Sequence, residues 1–508
     1  MRTKNSIKNV SVSIAMSITT FLVGFIFQKA FVVMMGTEYL GLNGLFTNIL
    51  SILCVTELGF GSAIVYNLYK PLADNEHKIV ISLITFYKKI YLIIATIILI
   101  LGITMVPFIP IIVGNTIIKH VRLLFFISLI DIVASYLLTY KRSILYADQK
   151  NYVINIIHII YIIVFNTLSI LILYLTHNYI LFLLFKIICR VCENVAINIY
   201  VTKNYDYITM KGEKVPKEVK KDIFTKVKGL LFHNLGSAVV MGTDNIIISK
   251  MFGLITVGLY SNYYVIINSI TNLITQFFQS ITASVGNLLI ENDSEKNYLV
   301  YKRILFVNSI IYCIITAGLL SGINTFVEVW MGKEYLLSID IIIVLLVNFY
   351  IQGMRKTNSV FKNAAGIFYE DRMIPIVEAV LNIVFSIVLG KIWGLKGIFA
   401  GTIISAAAQF LYSYPILVYK KLFDRKYKNF IIDNFKYFIT DFIIVAVSFI
   451  ITTKISVGNI FLSLIIKEIC TLLVCIIILI PLYCKKDEYK YYVNLFTSKL
   501  KKIKKNKI

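Results

Sequence analysis

Apolar runs long enough to cross a lipid bilayer are the dominant feature of this sequence. They recur from Val10 to Leu482, and a helix that spans a bilayer needs about 20 apolar residues. Charged residues make up only 15% of the 508 residues, whereas about 25% is usual in soluble domains. The sequence therefore predicts an all-α, polytopic membrane protein without a sizeable soluble domain.

We expect about fourteen spanning helices from the number and length of these runs. The first run, residues 10–33, is too long for the apolar region of a signal peptide, and no A-x-A cleavage pattern follows it. We therefore interpret it as the first span. The predicted spans are approximately 10–33, 40–66, 90–113, 120–140, 153–175, 179–201, 229–250, 255–285, 304–326, 338–354, 374–390, 397–419, 437–453 and 459–482.

The net charge of +24 is distributed unevenly between the two sides of the predicted spans. If the N-terminus lies inside, 40 of the 51 Lys and Arg residues fall in inner segments and six in outer loops. Because Lys and Arg in short loops are retained on the cytoplasmic side, both termini are predicted to be cytoplasmic. The basic tail Lys499–Lys507 is then explained by contact with anionic lipid head groups, and nucleic-acid binding is not expected.

A short pattern occurs twice, at an offset of 217 residues. Met34–Gly36 followed by Gly41–Phe46 matches Met251–Gly253 followed by Gly258–Tyr263. Each copy lies in an outer turn between the first two helices of a bundle, which predicts two parallel repeats. The predicted organisation is an N-terminal six-helix bundle at 1–201, a cytoplasmic basic linker at 202–228, a second six-helix bundle at 229–419, two additional transmembrane helices at 420–482 and a basic cytoplasmic tail at 483–508.

Several short motifs resemble those of a known transporter family. The segments Tyr39–Phe46, Glu57–Ile64 and Leu68–Asp74 are similar to the polysaccharide (Wzx-like) flippases of Gram-positive bacteria. These flippases belong to the multidrug/oligosaccharidyl-lipid/polysaccharide (MOP) exporter superfamily. Val329–Gly332 and Trp393–Thr402 extend the likeness, so that it covers essentially the whole chain. The resemblance implies a MATE-like fold of two six-helix repeats plus two C-terminal helices.

The resemblance also implies a function. Such a flippase moves an undecaprenyl-pyrophosphate-linked oligosaccharide repeat unit across the bacterial cytoplasmic membrane, by alternating access, for capsule or exopolysaccharide biosynthesis. It is a transporter and not an enzyme, and it needs no cofactor. The implied partners are the lipid-linked oligosaccharide, membrane lipids, a coupling ion (H⁺ or Na⁺) and, as candidates, a polysaccharide polymerase and glycosyltransferases.

Two other functions are compatible with a polytopic chain. A cation-coupled multidrug exporter of the same superfamily would favour an acidic cavity. A membrane glycosyltransferase or polysaccharide polymerase would carry catalytic residues in a large outer loop, but the longest predicted outer loop runs only from Val327 to Ser338. The sequence also contains no P-loop, G-x-S-x-G or H-E-x-x-H motif.

Cations within predicted spans are the candidate substrate-binding residues. Lys186 and Arg190 are four residues apart on the sixth predicted helix and share a face, with Glu193 three residues further on. A pyrophosphate inside a bundle needs cationic partners, and a guanidinium binds it bidentately. Lys29 on the first helix is a third candidate. The alternatives are that Arg190 pairs with Glu193 and that the two lysines extend to the membrane surface.

Three acids are candidates for ion coupling. Asp244 and Asp131 are predicted near the middle of their spans, and Glu57 lies in the inner half of the second. A buried carboxyl can exchange protons or bind Na⁺, but each could equally neutralise a nearby Lys or Arg. Asp441 is predicted close to a helix end and is therefore expected to be interfacial.

No metal site or disulfide framework is expected. Cys189 and Cys192 have C-x-x-C spacing, but they lie in a predicted membrane helix without a second pair. His158 is isolated in the sequence, so it is predicted to bond within the bundle.

Overall fold

A computed structural model of the chain describes residues 2–57, 60–210, 215–291, 293–367, 370–455 and 457–505. Leu58 and Gly59 of the motif Glu57–Ile64, residues 211–214 of the predicted linker and residues 506–508 of the predicted tail lie outside these ranges. The chain forms two compact units. Unit 1 comprises Met1–Ser261 and Arg372–Ile387, and unit 2 comprises Asn262–Asp371 and Val388–Ile508.

All regular structure in the described segments is helical. In chain order the α-helices are α1 Arg2–Met35, α2 Thr37–Leu53, α3 Phe60–Ala73, α4 His77–Met105, α5 Ile109–Val113, α6 Val121–Tyr136, α7 Arg142–Ala147, α8 Asn151–Thr176, α9 Tyr179–Asn204, α10 Lys217–Ile290, α11 Ser294–Trp330, α12 Ile339–Ala364, α13 Ile374–Trp393, α14 Leu395–Ala408, α15 Lys421–Phe423, α16 Tyr427–Thr453, α17 Ile460–Tyr483 and α18 Asp487–Lys505. Short 3-10 helices lie at Cys54–Glu57, Val106–Phe108, Thr139–Lys141, Asp206–Thr209 and Lys333–Tyr335, and π-helical turns at Gln409–Ser413 and Pro415–Lys420.

Within the described ranges, ten helical stretches are long and apolar enough to span a membrane. One of them, Ala238–Ile290, has 53 residues and would be about 80 Å long as a straight helix, more than two bilayer cores. Its backbone breaks at Gly253. The prediction of an all-α polytopic membrane protein is therefore confirmed, whereas the count of fourteen spans and the bundle boundaries stay predictions.

The repeated glycines adopt matching conformations. Gly36, between α1 and α2, has φ +89° and ψ 165°, and Gly253, within α10, has φ +82° and ψ 169°. Side chains rarely tolerate this left-handed backbone, which explains glycine at both positions. A Cβ on Gly41 would lie 1.9 Å from the carbonyl oxygen of Leu254, and a Cβ on Gly258 would lie 2.3 Å from that of Thr37. The two copies of the pattern thus pack against each other reciprocally.

In unit 1, α4, α6, α8 and α9 are the helices that position the charged side chains. α6 packs against both α4 and α9, and α9 also packs against α8. The side chain of Asn178 caps the start of α9 by accepting hydrogen bonds from the backbone N–H groups of Ile180 and Leu181. Phe182 near that end stacks on Phe27 of α1. This packing fixes the N-terminal half of α9, where the candidate cations lie.

In unit 2, α11 packs against α12, α16 and α17. Asp441 lies near the middle of α16, is buried, and accepts hydrogen bonds from the hydroxyls of Ser309 (2.6 Å) and Tyr350 (2.7 Å). Asp441 is therefore not near a helix end as the sequence predicts, whereas its interfacial position stays a prediction. The polar residues that open α16 concealed its first turns, so the predicted span started ten residues too late.

Candidate functional site

A break in the fourth predicted span shapes the site. The span was predicted as one helix over 120–140, but α6 ends at Tyr136, and Leu138 adopts a left-handed conformation with φ +66°. Asn194 of α9 compensates for the lost helical hydrogen bonds. Its side-chain amide donates to the carbonyl oxygens of Ala134 (3.2 Å), Ser135 (3.3 Å) and Leu137 (3.0 Å). The continuous-helix prediction fails because a polar side chain on another helix supplies these bonds.

The break directs Arg142 towards α9. This residue begins α7, directly after the 3-10 turn that follows the break. Its Nη2 donates to the side-chain oxygen of Asn194 at 2.7 Å and lies 3.3 Å from Oε1 of Glu193. Because Asn194 holds both the break and Arg142, one side chain couples the bend of the chain to the position of a guanidinium.

The two cations predicted on the sixth helix pair with acids on two helices. Lys186 Nζ lies 3.2 Å from Asp131 Oδ2, and Arg190 Nε lies 3.7 Å from Asp131 Oδ1. Arg190 Nη1 also lies 3.5 Å from Glu193 Oε2, as one alternative predicted. The guanidinium carbon of Arg190 is 5.1 Å from the ring centroid of Tyr161 on α8. We call Arg142, Lys186, Arg190, Asp131 and Glu193 together the charged cluster.

Burial differs sharply between the acids and the cations of the charged cluster. The side chains of Asp131 and Glu193 are 3% and 1% exposed, whereas those of Lys186 and Arg190 are both 25% exposed and that of Arg142 is 20% exposed. The acids are therefore more deeply buried than the cations that they contact. The accessible face of the cluster is cationic, even though its interior is largely neutralised.

His158 of α8 joins the cluster at Glu193. Its Nδ1 lies 2.9 Å from Glu193 Oε1, which confirms the prediction that this histidine bonds within the bundle. Glu193 thus contacts three nitrogen-bearing side chains and acts as the central anchor of the cluster. Loss of any one of these partners would leave the buried carboxyl group less well compensated, so the three contacts stabilise the cluster together.

A cavity of about 180 Å³ adjoins the cluster in unit 1. Arg142 and Arg190 line it together with Glu57. Glu57 ends the short helix after α2 and accepts a hydrogen bond of 2.5 Å from the hydroxyl of Tyr91, which in turn accepts one of 2.7 Å from Tyr87. The cavity therefore places an acid opposite two guanidinium groups.

The structure brings together only part of the predicted site. Arg190 and Glu57 line the cavity, and Lys186 and Asp131 belong to the charged cluster behind it. Lys29 is exposed on α1, and Asp244 is half-buried on α10; neither lines this cavity. Asp131 contacts two cations, so it fits the neutralising alternative.

Sequence reasoning missed Arg142 and Asn194. Arg142 follows directly on Lys141 after a predicted span, so it was counted among the inner-loop charges that set orientation. The available signal was Glu193-Asn194, two adjacent polar residues in the middle of a membrane helix, since such residues require partners at that depth. Only the bend at Leu138 shows which partners they have.

The donor set suits an anion better than a metal. No group of three or more His, Cys, Asp or Glu side chains among the described residues could hold a metal ion. In contrast, the buried Nε atoms of Arg142 and Arg190 make no hydrogen bond within the described structure. The Nε of Arg190 faces Asp131 Oδ1 at 3.7 Å, but both arginines also line the cavity, and guanidinium groups in a cavity lining are well placed to bind a phosphate or carboxylate.

Solved structures of membrane transporters share this fold. A lipid II flippase MurJ in an inward closed conformation matches with a TM-score of 0.62 at 18% identity, covering 92% of this chain and 99% of that one. A MATE family multidrug resistance transporter in an inward-facing conformation gives 0.59 at 16% identity over 79% and 95% of the chains. A MOP superfamily transporter from Pyrococcus furiosus gives 0.52 at 16% identity over 79% and 93%. At these identities the likeness shows the fold.

Comparison of sequences gives the family. No curated protein sequence matches the chain. The sequence profile of the family described as "Polysaccharide biosynthesis protein" matches residues 34–340, which is more than half of the 508 residues. The chain therefore belongs to the polysaccharide biosynthesis protein family and has the fold of the MOP superfamily transporters.

Proposed function

We propose that the protein is a flippase that moves an undecaprenyl-pyrophosphate-linked oligosaccharide across the bacterial cytoplasmic membrane by alternating access. The product would serve capsule or exopolysaccharide biosynthesis. The observation that carries this proposal is the charged cluster, in which two buried acids pair with three partly exposed cations, two of which line a cavity.

The layering gives the cluster a selectivity for anions. Three cations without counter-ions would repel one another and would be costly at membrane depth. Asp131 and Glu193 compensate most of that charge. The guanidinium groups of Arg142 and Arg190 still line the cavity. A pyrophosphate would complete the cluster from the cavity side, where Arg142 and Arg190 can each present two N–H groups to its oxygens.

The same arrangement argues against a cationic drug as the substrate. A cationic ligand in the cavity would meet Arg142 and Arg190, which line it, whereas Asp131 and Glu193 are buried and do not. Glu57 is the acid in the cavity lining, and Tyr91 already donates to it. We therefore favour an anionic lipid-linked substrate over the substrate of a cation-coupled drug exporter.

The roles of the remaining candidates follow from their positions. Lys29, exposed on α1, would attract the pyrophosphate at another stage of its passage. Glu57 is the strongest candidate for coupling to H⁺ or Na⁺, since it adjoins the cavity that the substrate would occupy. Asp244 is a second candidate on α10. Asp131 contributes chiefly by neutralising its two partners.

Reconstituted transport tests this function. Purified protein in proteoliposomes should move an undecaprenyl-pyrophosphate-linked oligosaccharide from one leaflet to the other. Arg190→Ala and Lys186→Ala should each slow transport, Arg190→Ala by tenfold or more, because a charge-assisted hydrogen bond contributes about 1.5–3 kcal/mol. Leaflet exposure of the sugar can be followed with a membrane-impermeant lectin or oxidant.

Arg122→Ala is the matched control. Arg122 is an exposed arginine on the same helix as Asp131, α6, and lies nine residues before it. Its transport rate should remain within twofold of the unsubstituted protein. All variants are first compared by thermal unfolding, so that misfolded protein is not scored as inactive. Normal transport by well-folded Arg190→Ala and Lys186→Ala would refute the role of the charged cluster.

A further inference from the structure

A polar cavity lies in unit 2, near the starts of α11 and α16 and directly after the end of α17. Its volume is about 230 Å³, and its lining includes Lys302, Lys436, Lys485 and Lys486. We call it the lysine cavity. α17 has 24 residues and is about 36 Å long, slightly more than the bilayer core of about 30 Å. Because Lys485 and Lys486 follow its last turn, the lysine cavity lies at the depth of lipid head groups.

Two of the three acids in the lining are already engaged by other side chains. Glu488 Oε1 lies 3.0 Å from Nζ of Lys302. Asp433 accepts hydrogen bonds from the hydroxyls of Tyr298 (2.5 Å) and Tyr419 (3.1 Å). These two carboxylates therefore compensate Lys302 and bind hydroxyl groups, and they do not pair with the other lysines of the cavity.

Three lysines of the cavity carry unpaired charge. Within the described part of the chain, Lys436, Lys485 and Lys486 form no ion pair. The third acid of the lining, Asp487, is exposed in the first turn of α18, where the helix N-terminus favours a carboxylate. The cavity thus collects ammonium groups that lack a bound counter-ion.

Lys486 is the most constrained of these lysines. Its Nζ lies 4.4 Å from the ring centroid of Tyr437 and 4.2 Å from that of Tyr483, so cation–π contacts hold the ammonium at the cavity. Burial, together with repulsion from Lys436, lowers the pKa of Lys486 to about 8. An anion bound between the two lysines would relieve that repulsion.

Apolar side chains that face the lipid flank the lysine cavity. Phe435 and Phe438, on either side of Lys436 in α16, are 57% and 36% exposed, and their ring centroids are 6.2 Å apart. Leu482, at the end of α17, is 45% exposed. An anion in the cavity would therefore lie beside a surface that acyl chains can cover.

We propose that the lysine cavity binds the phosphate group of an anionic phospholipid, with the acyl chains against Phe435, Phe438 and Leu482. Lysine recognises phosphate as a point charge, and basic pockets between membrane helices at this depth bind lipid head groups. A zwitterionic lipid fits less well, because the engaged acids of the lining leave little to bind its cationic group. The cavity belongs to unit 2, and the inference does not depend on the proposed function.

Lipid binding to the purified full-length protein in a neutral detergent tests the inference. Fluorescent phosphatidylglycerol is titrated, and unlabelled phosphatidylglycerol, phosphatidylcholine with the same acyl chains and inorganic phosphate compete with it. Phosphatidylglycerol should compete at least tenfold better than phosphatidylcholine. Lys436→Gln combined with Lys486→Gln should weaken its binding about tenfold, since the loss of one partly exposed charge costs about threefold.

Lys428→Gln combined with Lys490→Gln is the matched control. It removes the same charge from exposed lysines of α16 and α18 that do not line the cavity, so the affinity should stay within twofold. Lys436→Gln alone keeps the inference testable if the double variant fails to fold, because Lys436 is exposed. It should weaken phosphatidylglycerol binding about threefold.

Three results would overturn the inference. The first is equal competition by phosphatidylglycerol and phosphatidylcholine. The second is equal binding by the two double variants, which would show a general attraction of lipid to the basic surface. The third is displacement of the fluorescent lipid by inorganic phosphate at equal concentration, which would make a soluble phosphate the occupant. Each would leave the charged cluster of unit 1 unaffected.

Discussion

Asp131 and Glu193 determine how the charged residues of α9 behave. Each is almost completely buried and each contacts at least two cations. Removal of one partner from a buried ion pair costs about 3–5 kcal/mol, because it leaves an uncompensated charge, whereas removal of both partners costs much less. We therefore expect the acids to contribute mainly to stability. We expect the partly exposed cations to contribute mainly to substrate binding.

A double-mutant cycle tests this division of roles. Asp131→Asn alone should lower the free energy of unfolding by about 2 kcal/mol, less than a fully buried pair would cost because Lys186 is 25% exposed. Adding Lys186→Gln to Asp131→Asn should restore at least half of that loss. Thermal and denaturant unfolding in detergent measure both values and that of Lys186→Gln alone, which completes the cycle. Additive losses in the double variant would show that the two side chains are not coupled in the folded protein.

At the scale of elements, the interruption between α6 and α7 is the feature that organises the site. It turns Arg142 towards α9, and residues on both sides of it line the cavity. The interruption depends on hydrogen bonds from one side chain, that of Asn194, to three backbone carbonyl groups. Its stability should therefore be sensitive to the donor atoms of that side chain.

Asn194→Asp removes those donors and places a second oxygen opposite the three carbonyl groups, while it preserves the shape of the side chain and the oxygen that Arg142 contacts. Each lost hydrogen bond contributes about 1 kcal/mol, so unfolding should become easier by about 2 kcal/mol or more, and binding of inorganic pyrophosphate should weaken. Unfolding curves and calorimetric titrations measure the two effects.

Asn198→Asp is the control for this substitution. Asn198 lies one turn further along α9 and accepts a hydrogen bond from Lys141 through its oxygen, so an aspartate there would keep its partner. Its stability should stay within about 0.5 kcal/mol of the unsubstituted protein, as for a partly exposed ion pair. Equal losses in both variants would show that the amide donors of Asn194 have no special role.

At the scale of the whole molecule, the distribution of charge is the property that bears on orientation. With the N-terminus inside, 40 of the 51 Lys and Arg residues fall on the inner side. Retention of basic loops on the cytoplasmic side then predicts that both termini are cytoplasmic. That orientation also decides from which side a lipid-linked substrate would first meet the cavity.

Reporter fusions measure the orientation. Green fluorescent protein fused after Ile508 should fluoresce, and alkaline phosphatase at the same position should be inactive, because the C-terminus is predicted to be cytoplasmic. Insertion of either reporter between Val327 and Ser338, the longest predicted outer loop, should give the opposite pattern. Phosphatase activity at the C-terminus would contradict the predicted topology.

The sequence by itself determined the class of the protein and placed two of the clustered cations, Lys186 and Arg190, next to each other. Apolar length shows that the chain crosses a membrane, since a bilayer core imposes a fixed minimum on each helix. The pattern repeated at an offset of 217 residues identified two glycines, Gly36 and Gly253, whose unusual backbone follows from the lack of a side chain. Spacing of four placed Lys186 and Arg190 on one face of α9. All of these are local or compositional properties.

Only the tertiary structure decided which charges pair and where the helices break. Asp131 is 55 residues or more from the cations that it contacts, and Asn194 is 57 residues from the carbonyl of Leu137. Such partners are selected by packing, which periodicity within one helix cannot indicate. For the same reason the sequence predicts Arg142 in a loop and Asp441 near a helix end. Each is held by side chains on other helices, and those contacts exist only once the bundle has formed.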